Sequence, residues 1–158
     1  FRSPLSVAIV LIFVSFLFFI AEKYSQKNKD FTILSWQKVI LLGLAQALAL
    51  IPGVSRSGIT IVAGLGFNLQ RELAAKFSFL MAVPIILAAT IKKIYEANFL
   101  FFENEVLIFY ILGFLSAVIS GYLAIKYFLK FTKKYSLNVF AVYRIILGLI
   151  IISYLFIN

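Results

Sequence analysis

Pro52-Gly53-Val54-Ser55-Arg56-Ser57-Gly58 separates two short apolar runs, residues 39–51 (interrupted only by Gln46) and residues 59–69. Neither run reaches the ~20 residues that a straight helix needs to cross a hydrocarbon core. Such a pair can be one broken helix crossing once, two poor spans, or a re-entrant hairpin that enters and leaves on one side. The rest of the chain decides among them.

On either side lie longer runs. Residues 5–21 are uncharged and open with Pro4 at a helix-start position, and the apolar runs 77–91, 106–125 and 139–157 are also read as spans. Pro84 is a candidate kink in the second of these. Of the 158 residues 63% are hydrophobic and 13% charged, and the mean hydropathy is +1.06. That leaves too little polar surface to clothe a soluble domain. The net charge of +9 does not signal nucleic acid, because the basic residues sit in short loops between apolar runs, a pattern of topology and anionic headgroups. Tyr24 and Trp36 stand where interface anchors belong, and Tyr95 with Phe99-Leu100-Phe101-Phe102 falls in the loop 92–105. With no Cys and no His, thiol chemistry and the commonest general base are excluded. The chain opens on Phe1 with no cleavable signal pattern, so it is expected to begin inside a longer protein.

Loop charges settle the parity. If the pair of short runs crosses once, loop Lys and Arg split six against seven. If it returns to its own side, Lys23, Lys27, Lys29, Lys38, Arg71, Lys76, Lys126, Lys130, Lys133 and Lys134 gather against Arg2, Lys92 and Lys93, ten against three. The positive-inside rule favours the return and makes segments 22–38, 70–76 and 126–138 cytoplasmic. The short lengths then favour a re-entrant hairpin over about 39–69. Irregular backbone at membrane depth is tolerated only beside protein or a water-filled cavity, so the loop should line one.

The loop's composition suits an anion. Gly53 and Gly58 permit positive φ and close approach, Ser55 and Ser57 add hydroxyls, and Arg56 adds a planar fork for phosphate oxygens. A helix beginning near Ile59 aims its positive end at the same point, with Thr60 in its first turn. No Lys follows the second glycine, so this is not a Walker loop. An arginine carried to membrane depth costs roughly 3 kcal/mol or more and is usually functional. Arg144 lies close enough to the cytoplasmic end of its span to snorkel, and is read as an anchor. Gln46 serves either packing or the loop. Glu22, Asp30, Glu72, Glu96, Glu103 and Glu105 all fall outside the apolar runs and read as solvated charges. Gly113, Ala117 and Gly121 form a small-residue stripe suited to helix packing, within one chain or between two as a homo-oligomer.

The stretch Gln46-Ala47-Leu48-Ala49-Leu50-Ile51-Pro52-Gly53-Val54-Ser55-Arg56-Ser57-Gly58-Ile59-Thr60 closely resembles the second signature of the bacterial undecaprenyl-pyrophosphate phosphatases, the bacitracin-resistance family. Arg71-Glu72-Leu73-Ala74-Ala75-Lys76-Phe77-Ser78-Phe79-Leu80, followed by Pro84, is similar to the family's next block. Tyr143-Arg144-Ile145-Ile146-Leu147-Gly148 looks like its last-helix pattern. The resemblance covers essentially the whole chain. It implies an all-α polytopic membrane protein of the bacterial plasma membrane, built from inverted repeats whose re-entrant hairpins meet mid-membrane. It also implies a polyprenyl pyrophosphate substrate and hydrolysis to the monophosphate, in recycling of the cell-wall lipid carrier. Ser55, Arg56 and Thr60 match active-site positions, with Arg56 and Ser55 as the catalytic pair and Gly53, Ser57, Gly58 and Thr60 binding substrate. Ser55 is read as a hydrogen-bonding ligand more than a nucleophile, because no base stands near it.

The family's first signature, with paired glutamates, a serine and a histidine, is missing here. The resemblance therefore implies the C-terminal portion of the enzyme, one half of the repeat, inactive alone. It implies a divalent cation, Mg or Ca, whose ligands lie outside this chain, and a site opening outward. A membrane transporter for an anionic lipid or organic anion uses the same inverted repeats and broken helices, and stays open as the alternative.

Overall fold

The structure, a computed structural model, describes residues 3–96 and 104–157. Six α-helices account for most of them: α1 (Pro4–Tyr24), α2 (Trp36–Ala47), α3 (Arg56–Gly66), α4 (Arg71–Glu96), α5 (Asn104–Lys134) and α6 (Asn138–Ile157). Among the described residues there is no strand beyond an isolated bridge, Lys29 to Leu69. Four helical stretches, Pro4–Tyr24, Arg71–Glu96, Leu107–Lys134 and Asn138–Ile157, are long and apolar enough to cross a membrane. The chain is an all-α polytopic membrane protein.

The helices run past their apolar runs. α4 begins at Arg71 and continues to Glu96, and α5 extends through Lys134. Lys, Glu and Arg are good helix formers, so the polar ends stay helical where they leave the apolar layer. Lys92 and Lys93 both pair with Glu96 in the last turns of α4. Pro84 lies inside α4, and the helix continues on both sides of it. Arg2 and the Phe99–Phe102 cluster lie outside the described residues. Ser3 caps α1 by accepting from the Ser6 N–H, and Pro4 occupies the first turn, where its missing donor costs nothing.

α1 and α6 lie antiparallel. At one end Glu22 accepts from the Leu137 N–H. Towards the other, Gly148 lets the backbones close: a Cβ there would sit 2.8 Å from Ile12 Cγ1 and 3.1 Å from the Ala8 carbonyl. α2 and α3 form a helical hairpin against this pair. Both of its ends lie at the Glu22 end of α1, where Gln26 N–H donates to Asn68 Oδ1 and Lys38 Nζ stands 5.9 Å from the Phe67 ring centroid. Its tip reaches Val7 and Val10, since a Cβ on Gly53 would meet the Val7 carbonyl at 2.8 Å. Val10 and Val7 precede Glu22 by 12 and 15 residues, so at ~1.5 Å per residue the tip stands roughly 18–22 Å from the loop face. That is more than half the ~30 Å of a hydrocarbon core.

The segments around residues 22–35, 67–72 and 132–137 gather at one end of the bundle. Glu22 is the node. Its carboxylate accepts from Arg71 Nε (2.8 and 3.0 Å) and Nη2 (2.7 Å), takes the Leu137 N–H at 2.9 Å, and lies 3.6 Å from Lys27 Nζ. Glu22 is 6% exposed, so the expectation of a solvated charge is corrected. Its partners are 49 and 115 residues away, beyond the reach of local reading. Phe79, Phe128, Phe131 and Phe140 form an aromatic cluster joining α4, α5 and α6. Further along, residues 107–120 of α5 are exposed throughout, and an added Cβ on Gly113 or Gly121 would meet nothing within 4 Å.

Candidate functional site at the hairpin tip

The tip is built by three local choices. Past α2 the chain tightens into a 3₁₀ turn, Leu48–Leu50, and goes extended at Ile51 before Pro52. This is where the residue before a proline is driven out of the helical region. Gly53 then takes φ +94, a conformation that side chains other than glycine's adopt at a cost, and it packs directly on α1. Ser55 caps α3: its Oγ accepts from the Gly58 N–H at 3.2 Å. The N–H groups of Arg56 and Ser57, in the first turn, have no helical carbonyl to meet.

Beside this N-terminus lies a cavity of about 270 Å³. Ser55, Ser57 and Gly58 form one wall, Arg144 and Tyr143 of α6 another, and Phe18 of α1 narrows it. Arg144 is 9% exposed. It does not snorkel. Its Nη2 donates to the Gly53 carbonyl at 2.8 Å, and its Nε is buried with no hydrogen-bond partner. The reading of Arg144 as an interfacial anchor is therefore corrected: α6 packs so closely on α1 that the side chain turns inward to the tip. Sequence offered one signal for this, an arginine inside an apolar span, but its nearness to the helix end made the cheaper explanation sufficient.

The expected site residues divide into four groups. Ser55, Ser57 and Gly58 share the cavity. Gly53 shapes the tip and engages Arg144 through its carbonyl. Arg56 is partly exposed and is not part of that cavity wall, but its Nη1 is buried without a partner, as is Gln46 Oε1. Thr60 differs from expectation: it is 1% exposed and faces α4, where its hydroxyl meets Ser78 Oγ at 2.6 Å. Buried polar atoms without partners are few in native structures and ask for an explanation. Two guanidinium nitrogens in this condition, beside a capped helix N-terminus, are donors in want of an acceptor.

The same donor set does not fit a divalent cation. N–H groups and guanidinium ions repel a metal, and among the described residues no three His, Cys, Asp or Glu side chains come together. What this tip can do is hold an anion.

The chain matches the family described as bacitracin resistance protein BacA over residues 1–150. It is similar to the undecaprenyl-diphosphatase of Rubrobacter xylanophilus, with 43% identity over 154 residues, 98% of this chain and 57% of that one. The enzyme of that name from Synechocystis sp. is 42% identical over 156 residues, covering 97% and 47%. That from Thermodesulfovibrio yellowstonii is 45% identical over 150 residues, covering 95% and 57%. The chain spans about half the length of the curated relatives it matches.

Proposed function

This chain belongs to the BacA bacitracin-resistance family, and from that premise we propose that it serves the hydrolysis of undecaprenyl pyrophosphate in the bacterial plasma membrane. The observation that carries the proposal is the cavity where the capped N-terminus of α3 meets the buried, partly unpaired Arg144. The relatives, which are undecaprenyl-diphosphatases by name, support hydrolysis over the transport of a similar anion.

In this reading α2 and α3 are a re-entrant hairpin that carries the phosphate site to membrane depth. The pyrophosphate oxygens accept from the free N–H groups of α3 and from the Ser55 and Ser57 hydroxyls, with Arg144 reaching from the opposite wall. Arg56 neutralises charge growing on the phosphoryl group as the anhydride bond breaks. Water supplies the new oxygen on the phosphate released, and the bridging oxygen departs with the prenyl phosphate. The prenyl chain stays in the lipid. These residues bind and orient. Among the described residues no carboxylate stands at the tip to activate water, and the sequence has no His, so in this reading residues 1–158 alone do not turn over substrate; by family resemblance that chemistry, with its cation, comes from outside them.

The test is phosphate release from farnesyl or undecaprenyl pyrophosphate by the full-length protein in detergent. Arg56→Ala should lower turnover by roughly two orders of magnitude or more, as expected for a lost charge clamp. Turnover near that of the unaltered protein would move the site elsewhere. Release by the isolated 158-residue chain, sensitive to Arg56→Ala, would overturn the division of labour.

A further inference from the structure

Where α3 packs on α4, two hydroxyls meet in a dry contact. Thr60 Oγ1 and Ser78 Oγ of α4 are 2.6 Å apart, and each residue is 1% exposed. Thr60 Oγ1 also lies 2.9 Å from the Arg56 carbonyl and 3.1 Å from the Ser57 carbonyl, and Ser78 Oγ lies 3.5 Å from the latter. Each hydroxyl has one proton to give. The short distances are used best when Ser78 donates to Thr60 Oγ1 and Thr60 donates to the Arg56 carbonyl. The helices come close enough for this because small residues face one another: a Cβ on Gly64 would sit 3.0 Å from that of Ala74.

The peptide bond is planar, with its carbonyl and its N–H pointing opposite ways. A hydrogen bond that fixes the Arg56 carbonyl therefore fixes the direction of the Ser57 N–H, in a residue that lines the cavity. Linked hydrogen bonds in a dry setting also polarise one another, so the N–H becomes a better donor. We infer that Ser78, acting through Thr60, is a positioning residue for the phosphate site: α4 aims the first turn of α3 from behind. The inference rests on the reading of that turn as the pyrophosphate cradle, and it gives Thr60 a different task from touching the substrate.

A double-mutant cycle in the full-length protein tests it, with Thr60→Val, Ser78→Ala, the pair together, and Thr60→Ser as the conservative variant. Turnover of farnesyl pyrophosphate and affinity for inorganic pyrophosphate are measured beside the thermal midpoint. Each single variant should lose about tenfold in turnover and in pyrophosphate affinity, the size of one broken hydrogen-bond link. The pair should lose little more than either, and Thr60→Ser should stay within about twofold of the unaltered protein. A hundredfold, multiplicative loss in the pair would overturn the inference, because Thr60 would then act on the substrate independently. So would Ser78→Ala with unchanged turnover and affinity, whatever its thermal midpoint. If the unaltered protein hydrolyses nothing, the proposed function fails, and the pyrophosphate affinities alone still decide the role of Ser78.

Discussion

The two ends of the bundle treat their charges in opposite ways. At the loop face every charge around Glu22 is answered: both carboxylate oxygens are taken by Arg71, one also by the Leu137 N–H, and Lys27 stands close by. At the hairpin tip, Arg144 uses one nitrogen on a carbonyl and leaves another buried and idle, and Arg56 Nη1 is idle too. A satisfied network holds a fold together. An unsatisfied one, kept at a cost in a setting where few polar atoms go unpaired, asks for an explanation, and the proposed anion supplies it.

Substitutions at the two ends should therefore separate stability from function. Glu22→Ala should have the largest effect, because it strands Arg71 and the Leu137 N–H in a part-buried site. A loss of about 3–5 kcal/mol in a reversible denaturation in detergent is expected, while protein that remains folded keeps its KM. Arg144→Met should do the reverse. Replacing a buried, half-paired cation by an apolar side chain leaves stability level or higher, while turnover falls about a hundredfold, which kinetics and denaturation on the same preparation will show. Gly53→Ala should cost about 1–3 kcal/mol, because a side chain at that positive φ also meets the Val7 backbone. Lys133→Ala removes an ion pair with Glu72 whose lysine is 58% exposed, and should change stability by no more than about 1 kcal/mol.

The difference between the two ends also marks what the chain discloses by itself. The tip is written locally: two runs too short to cross, a Pro-Gly entry, a serine three residues before a glycine N–H it caps. Each is a near-neighbour effect, so each can be read in order along the chain. Glu22 looks like any charge at a helix end until α4 and the 132–137 turn arrive to bury it. Arg144 is legible as an oddity within a span, but its direction depends on how Gly148 lets α6 settle on α1. Thr60 is the subtler case. Its place in the first turns of α3 is visible in the sequence; which way it faces depends on Ser78, eighteen residues on, in a contact no periodicity encodes. The polar ends of α4 and α5 were hidden for another reason, since hydropathy reports only the part of a helix that lies in lipid.

The most direct measurement is the thermal midpoint of the full-length protein in detergent, with and without saturating inorganic pyrophosphate. A tip awaiting an anion should be stabilised by it, raising the midpoint by a few degrees through binding to the folded state alone. That rise should vanish in Arg56→Ala and in Arg144→Met and persist in Lys133→Ala. An equal rise in all four proteins, or none in the unaltered one, would contradict the assignment of the tip as the anion site.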